Sequence, residues 1–264
     1  MYVQLEGYSP KMWRSFQVMG DITIAKLAYI IMGLYEVRKY YSYEFRIDEF
    51  ENYKLKHPEY MENPALLDGL NKTFNKQRYG ITSKKNQYTY KQTDDYGELL
   101  DATKEKLMNI IKAPNEELTF RYDPEINWTF KIKVEKIFTD KSLYSKDLPR
   151  VLDGAGYGII EDLNGVKGLK QARDKLNQRN WMNNLNYGNF KTNDQIRNCY
   201  YKKSKVRSET RFYFDKFDIE DMNFRIRKLP RIYKERYEQE LRPTMRQIKV
   251  MKRKYEVFRK SEKK

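Results

Sequence analysis

The sequence has almost none of the two residue types that most often carry metal and nucleophilic chemistry. Its 264 residues include one cysteine, Cys199, and one histidine, His57. A single cysteine excludes an intramolecular disulfide, and the pair cannot assemble a Cys/His zinc site. A Ser/His/Asp site would depend on His57, which lies in a polar stretch without regular pattern. We therefore expect no metal, no cofactor and no small-molecule substrate.

Long apolar runs are also missing. The sequence contains no stretch of about eighteen apolar residues that could cross a membrane as a helix. Its first residues, 1–7, alternate as a strand does and do not form a secretory signal segment. We therefore expect a cytoplasmic protein whose partners do not include a membrane.

Glycine is scarce, yet it is concentrated in one segment. Five of the 12 glycines lie in residues 151–169, VLDGAGYGIIEDLNGVKGL. A dinucleotide-binding fingerprint needs Gly-x-Gly-x-x-Gly, and Ile159 stands where its last glycine should be. The spacing also fails for a phosphate-binding loop and for a calcium loop. We expect a turn-rich structural segment in which Asp153, Glu161 and Asp162 cap or hydrogen-bond local backbone.

A carboxylate-based nuclease would need neither histidine nor cysteine, since metal ions held between acids activate its water. The segment FKIKVEKIF places Lys131, Lys133 and Glu135 on one strand face, in the reverse of the order expected and without a preceding acid. We interpret it as a solvated face opposite a buried one. An enzyme is therefore not expected. A metal-dependent nucleic-acid-processing enzyme that uses Asp153, Glu161 and Asp162 stays an alternative.

Positive charge is what the chain has in excess, and it lies at one end. The formal net charge is +16; residues 196–264 hold 23 Lys and Arg against 10 Asp and Glu, which leaves 30 against 27 for residues 1–195. Such asymmetry is typical of proteins whose partner is a polyanion. Within residues 199–214 the cations alternate with aromatic residues, a composition suited to phosphate contacts and base stacking. The predicted nucleic-acid or partner-binding residues are Lys202, Lys203, Lys205, Arg207, Arg211, Arg242, Arg246, Lys249, Lys252 and Arg253.

Beyond Pro243 the spacing of apolar residues predicts an amphipathic helix with basic faces. Such a helix can pack on the body of the protein through its apolar stripe, or it can dock on a partner. Both interpretations stay open. The stripe comprises Met245, Ile248, Met251, Tyr255 and Phe258.

The other patterns predict an α+β fold with a mixed β-sheet core, packed helices and a basic helical C-terminal extension. Strands are expected at YVQLEG, MWRSFQVM and YSYEFRI, and two more about a turn in ELTFRYDPEINWTFKIKVEKIF. Thr23 is expected to cap a helix with apolar residues at helical spacing. Further helices are expected over 96–111, over 168–177 and from Phe217 onward. Residues 51–95 are interpreted as an irregular connection with a short hairpin around QYTYKQ.

Several dispersed segments share the pattern of one known family. They are SPKMWRSFQVMGDITIAKL, the pair Met32-Gly33, EFRI, YDPEINWTFKIKVEKI, the block from Pro149 to Gly168, and FDIEDMN over 217–223. Over about residues 1–229 the chain resembles the pRi-plasmid open-reading-frame-three-like family. The resemblance implies an α+β domain over 1–229, which leaves the basic helical extension over 230–264. It also implies carriage by plasmids, insertion elements or phages.

The chain departs from this family pattern at positions suited to chemistry. Family members usually carry His-x-His where Tyr41 and Tyr43 stand, and cysteines where Gly158 and Leu163 stand. Any Cys/His chemistry of the family is therefore lost here, and the resemblance implies no established activity. The name resolvase-like, also given to family members, gains no support because no serine-recombinase pattern is present.

These observations favour a non-catalytic mobile-element protein of phage or plasmid type that binds nucleic acid or a nucleic-acid–protein complex. The sharper form of this hypothesis is a counter-defence inhibitor, similar to an anti-CRISPR protein, that occupies the nucleic-acid channel or a protein face of an effector complex. A DNA-binding accessory protein of a transposable element is the alternative within the same class.

Overall fold

One mixed β-sheet organises the part of the chain that the computed structural model describes. The described residues are 1–62, 64–81, 90–91, 93–139, 147–161, 163–177 and 217–238. The strands are β1 (Tyr2–Leu5), β2 (Trp13–Gln17), β3 (Tyr43–Asp48), β4 (Lys76–Ile81), β5 (Thr93–Asp94), β6 (Gly97–Asp101), β7 (Glu117–Tyr122), β8 (Trp128–Lys133) and β9 (Arg150–Ala155). Their order is β5-β6-β4-β3-β7-β8-β1-β2-β9. Neighbours are antiparallel except β4 and β6, which are parallel.

Seven α-helices accompany the sheet in the described residues, so the fold is α+β as predicted. They are α1 (Ile24–Leu34), α2 (Glu49–Lys56), α3 (Pro64–Asn71), α4 (Leu107–Ile110), α5 (Gly165–Asn177), α6 (Ile219–Ile226) and α7 (Leu229–Glu238). A 3-10 helix, Pro58–Glu62, lies between α2 and α3. None of these described helices combines the length and the apolarity that a membrane crossing requires.

One face of the central strands is apolar because side chains alternate along them. On β8, Trp128, Phe130 and Ile132 are buried, whereas Lys131 and Lys133 are exposed, as the sequence pattern predicted. The neighbouring strands alternate in the same way. Inward-facing side chains that are at most 2% exposed include Val3, Leu5, Phe16, Phe45, Leu118 and Phe120. The opposite face of these strands is open to solvent at its lysines.

Helix α1 lies at the centre of the core. It begins at the predicted cap: the Oγ1 of Thr23 accepts a hydrogen bond from the backbone N–H of Lys26 at 3.1 Å. Ten of its eleven residues are buried. A helix that is apolar on all sides needs cover on all sides. The sheet covers α1 on one side, and helices α6 and α7 cover it on the other.

Helices α6 and α7 form the outer layer on α1. A Cβ added to Gly33 would lie 3.0 Å from Ile226 Cδ1 and 3.4 Å from Leu229, so a glycine allows this close approach. Further along α1, Tyr29 stacks on Tyr237 with 5.6 Å between ring centroids. Because Gly33 meets the start of α7 and Tyr29 meets its end, α7 runs antiparallel to α1.

Two local predictions are wrong where tertiary pairing decides the structure. The helix predicted over 96–111 is replaced by strand β6, and only Leu107–Ile110 are helical. Strand β6 pairs with β4, a partner that local periodicity does not reveal. The irregular connection predicted over 51–95 instead contains most of α2, all of α3 and strands β4 and β5. Most of QYTYKQ lies outside the described residues.

The glycine-rich segment 151–169 is more regular than predicted. It begins in the edge strand β9, which pairs with β2, and α5 begins at Gly165. The expected turn is confined to the residues between them, where φ is +81° at Gly156 and +146° at Gly158. Strand β9 escapes prediction because Val151 is its only fully buried residue, which leaves no alternation to read.

Candidate nucleic-acid interface

Helices α6 and α7 bury one side against the body and present the other to solvent. Asp218 caps α6 by accepting a hydrogen bond from the N–H of Asp221 at 3.0 Å. Met222 and Ile226 of α6, together with Tyr233 of α7, are at most 3% exposed. Residues offset from these by about half a helical turn therefore point away from the body.

The solvent side of this helix pair combines cations with exposed apolar groups. Phe224 is 65% exposed and Ile232 is 44% exposed. The Nζ of Lys228 lies 4.5 Å from the centroid of the Phe224 ring, a cation–π contact. We call this solvent side the α6–α7 surface, and it comprises Phe224, Arg227, Lys228, Arg231, Ile232 and Lys234.

Acids near the α6–α7 surface neutralise it only weakly. Arg231 pairs with Glu235 at 3.1 Å, and Lys234 with Glu238 at 3.6 Å, on the exposed side of α7. Exposed pairs of this kind contribute about 0–1 kcal/mol, so a phosphate can replace the carboxylate at little cost. Within the described ranges, no ion pair joins Arg227 or Lys228 to an acid.

The α6–α7 surface lies between the two basic segments of the chain. The described residues hold 30 Lys and Arg against 29 Asp and Glu, which leaves 23 against 8 for the rest of the chain. The first basic segment, 202–211, precedes α6, and the second, 242–253, follows α7. All ten predicted binding residues lie outside the described residues: Lys202, Lys203, Lys205, Arg207, Arg211, Arg242, Arg246, Lys249, Lys252 and Arg253.

Arg14 on strand β2 anchors the chain where it enters α6. Its side chain is fully buried, and burial lowers its pKa to about 10, so that it stays charged at neutral pH. Its guanidinium donates hydrogen bonds of 2.5–3.2 Å to the carbonyl oxygens of Leu34, Ala155, Gly156 and Tyr157. The ring of Phe217, two residues before α6, lies 4.3 Å from the Cζ of Arg14.

Two side chains of α6 hold its inner side on the body. Asn223 donates to the carbonyl of Val151 at 3.0 Å and accepts from the N–H of the same residue at 2.8 Å, so it satisfies the outer edge of β9. Arg225 pairs with Glu36 at 2.5 Å and with Asp221 at 3.0 Å. The inner side of α6 is therefore fixed by structure, and its outer side is open to solvent, with Phe224 65% exposed.

A second group of arginines lies on the other face of the sheet and is neutralised within the fold. Glu44 is fully buried and accepts hydrogen bonds from Arg46, Arg78 and Arg121 at 2.7, 3.0 and 2.8 Å. Asp94 pairs with Arg46 at 2.5 Å and with Arg78 at 3.0 Å. Three guanidiniums thus meet two carboxylates, and little charge is left for a polyanion. This cluster could not be predicted from the sequence, because alternation along β3 predicts Glu44 in solvent.

Comparison with known proteins decides the family. The family model described as plasmid pRiA4b ORF-3-like protein matches residues 1–221. The chain belongs to this family. The crystal structure of a protein of unknown function from Methanosarcina mazei Go1 is similar to this chain, with a TM-score of 0.54 and 21% sequence identity over 83% of this chain and 93% of that chain. At this identity the likeness shows the fold alone. No curated protein matches the chain.

Several residues that match the plasmid pRiA4b ORF-3-like pattern turn out to be structural. A Cβ on Gly154 would lie 2.8 Å from Arg14 Cδ and 2.9 Å from the ring of Phe217, so only glycine fits between them. Asn223, two residues beyond the matched range, binds strand β9. The sequence identified these positions, but it gave no role for Arg14, whose acceptor Ala155 lies 141 residues away.

Tyrosines occupy the region where family members carry histidine and cysteine. The ring of Tyr41 lies 5.9 Å from that of Tyr122, whose hydroxyl donates to Glu161 at 2.7 Å. The two lost cysteine positions, Gly158 and Leu163, flank Glu161 in the sequence. Burial raises the pKa of Tyr122 well above its usual value, which keeps the hydroxyl protonated as a donor. This arrangement provides packing and hydrogen bonds.

The acids of the enzymatic alternative have separate structural partners. Asp153 lies on β9 and accepts from the next backbone N–H at 2.7 Å, the local contact that was predicted. For Glu161 that prediction is wrong: it accepts from the N–H groups of Arg38 and Lys39 at 2.9 and 2.8 Å, more than 120 residues earlier. Asp162 lies outside the described residues. Within those residues, no group of three His, Cys, Asp or Glu side chains is placed to hold a metal.

Proposed function

We propose that the protein is a non-catalytic nucleic-acid binder of a mobile element, acting on nucleic acid alone or within a nucleic-acid–protein complex. The uneven distribution of charge supports this proposal most strongly. The described body is nearly neutral, whereas the rest of the chain holds 23 Lys and Arg against 8 Asp and Glu. Cations that the fold does not neutralise attract a polyanion and release its counterions.

The α6–α7 surface supplies the described part of the proposed interface. In the sequence it lies between the basic segments 202–211 and 242–253, and the proposed interface combines all three. Phe224 is the more exposed of its two apolar side chains and lies beside a lysine, an arrangement suited to stacking on a base while the ammonium meets a phosphate.

Salt-dependent binding tests this proposal. Fluorescence anisotropy with labelled single-stranded and double-stranded oligonucleotides should give an affinity that falls about 10³-fold or more between about 50 and 200 mM salt, if at least six phosphates are contacted. The variant Lys202→Glu/Lys203→Glu/Lys205→Glu should reduce the log–log slope by roughly 2 to 3, since each phosphate contact contributes about 0.9 on duplex DNA.

A matched control removes the same charge from the body. Lys104, Lys131 and Lys133 are exposed, with Lys104 at 83% and Lys131 at 64%. Their triple substitution by Glu should leave the slope unchanged. Equal losses in the two triple variants, or binding that does not respond to salt, would refute the proposed interface.

The counter-defence role is the narrower form of the proposal, and the plasmid family supports its mobile-element setting. It predicts that the protein co-purifies with a CRISPR effector from a host lysate and protects phage in a plaque assay. Both effects should be lost in the Lys202→Glu/Lys203→Glu/Lys205→Glu variant. Oligonucleotide binding without either effect would favour the alternative, a DNA-binding accessory protein of a transposable element.

A further inference from the structure

An apolar groove opens beside the end of β8 and the start of α4. Its volume is about 720 Å³. Four large hydrophobic side chains in its walls are strongly exposed: Met108 at 54%, Ile137 at 46%, Phe138 at 59% and Leu152 at 42%. Exposed apolar patches that cluster in one place usually mark a surface that something else covers.

The direction of α7 leads the chain toward this groove. Glu238, the last described residue, accepts a hydrogen bond from the hydroxyl of Tyr29 at 3.0 Å, and α7 runs antiparallel to α1. The axis of α7 at Glu238 therefore points toward the N-terminal end of α1, which lies about 7 Å further on. That end adjoins the groove, because Gly20 lines it and accepts a hydrogen bond from the N–H of Met108 at 2.8 Å.

The chain beyond Glu238 has the length and the pattern to fill the groove. Residues 239–244 can span roughly 20 Å when extended, and the apolar stripe begins at Met245. From Met245 to Phe258 a helix would be about 20 Å long. Two of the five stripe residues are methionines, and Met1, Met19 and Met108 line the groove. Methionine side chains adapt to irregular surfaces, so the apolar stripe and the groove wall can fit each other closely.

We propose that residues 245–258 dock in this groove as a helix, through the stripe Met245, Ile248, Met251, Tyr255 and Phe258. Docking covers the exposed apolar walls and leaves Arg246, Lys249 and Arg253 on the side of the helix that faces away from the groove. These three cations are then displayed as the proposed function requires. The docking itself is intramolecular and does not depend on nucleic acid, so the two proposals can fail separately.

Disulfide trapping in the full-length chain without nucleic acid tests the docking. In a Cys199→Ser background, the pair Met108→Cys and Met251→Cys should form an intramolecular disulfide under mild oxidation. The matched control replaces Met251→Cys with Lys249→Cys, which lies about 200° around the same helix. We expect the yield of the first pair to exceed that of the control at least tenfold. Similar yields would overturn the proposal.

Two further variants identify other occupants and guard against misfolding. If the segment lay on the α6–α7 surface, the pair Phe224→Cys and Met251→Cys would form a disulfide in higher yield than the pair Met108→Cys and Met251→Cys. If a second copy of the chain filled the groove, the disulfide-linked product would have twice the mass of the chain. Either result would overturn the proposal. Adding Leu152→Asp in the groove wall should lower the Met108–Met251 yield several-fold, whereas Leu55→Asp on α2, where Leu55 is 52% exposed, should not.

Discussion

The described body and the rest of the chain use positive charge in opposite ways. In the body, buried arginines serve the fold: Arg14 binds backbone carbonyls, and Arg78 binds Glu44. Outside it, 23 Lys and Arg accompany 8 Asp and Glu, so cations far outnumber acids in those segments. The segments outside the body therefore hold +15 (23 − 8) of the net charge of +16. The two sets of cations should therefore respond to mutation differently.

Glu44→Gln should give the largest loss of unfolding free energy, because it removes a negative charge that neutralises buried arginines. Removing this buried carboxylate charge leaves Arg46, Arg78 and Arg121 with Asp94 as their only described acid. Breaking a buried charge pair typically destabilises a protein by about 3–5 kcal/mol. Urea unfolding followed by circular dichroism would measure the loss.

The exposed Glu98→Gln on β6 is the control for this experiment and should change stability by less than about 0.5 kcal/mol. Oligonucleotide affinity, corrected for the folded fraction, should be the same in both variants. A stable Glu44→Gln protein that binds oligonucleotides more tightly would show that the cluster is a phosphate site, and the contrast between the two regions would then be lost.

Local pattern was enough for the elements that bury their side chains at a regular spacing. Thr23 and the apolar run after it predicted α1, and the alternation through Trp128, Phe130 and Ile132 predicted β8. The α1 signal arises because almost the whole helix is buried, and the β8 signal arises because one face of the strand is buried. The prediction failed at β6, because its residues Gly97–Asp101 are mostly exposed and leave no alternation of buried and exposed side chains.

The candidate site was less predictable, because the roles of charged residues depend on contacts distant in sequence. The printed sequence shows Arg14 and Glu44 as ordinary strand residues, yet Arg14 binds a carbonyl 141 residues away and Glu44 binds an arginine 77 residues away. Conversely, Phe224 and Lys228 lie only four residues apart, and their exposure could be inferred only after α6 was placed on α1. The charge asymmetry was visible in the sequence. The sequence did not show which cations bind acids or backbone carbonyls within the fold.

The pH dependence of the free energy of unfolding tests whether the buried acid Glu161 of the body is held by contacts within the fold. Burial raises the pKa of Glu161 above its usual 4.5, although Tyr122 and two backbone N–H groups bind it. The folded state therefore holds the proton more tightly than the unfolded state. The stability from this group is fully present below pH 4.5 and is lost as the pH rises through the folded pKa.

Glu161→Gln should remove this dependence. The difference in unfolding free energy between variant and parent should grow in favour of the variant as the pH rises from about 4 upward, by at most about 1.4 kcal/mol for each pH unit. Urea titrations at several pH values would measure it, with Glu98→Gln as the control. A difference that does not vary with pH would mean that Glu161 titrates as an exposed carboxyl does.

The smallest effect on stability is expected for variants of the α6–α7 surface. These variants test whether exposed cations of the helix pair bind a polyanion without stabilising the fold. Arg227→Glu/Lys228→Glu should change unfolding free energy by less than about 0.5 kcal/mol, because these exposed side chains lie apart from the buried contacts of the helix pair. The same variant should reduce the salt slope of oligonucleotide binding by about 2. Lys131→Glu/Lys133→Glu, which removes two exposed cations from the sheet, should leave that slope unchanged. If the sheet variant weakens binding as much as the helix variant does, the cations of the body are not set apart from those of the interface.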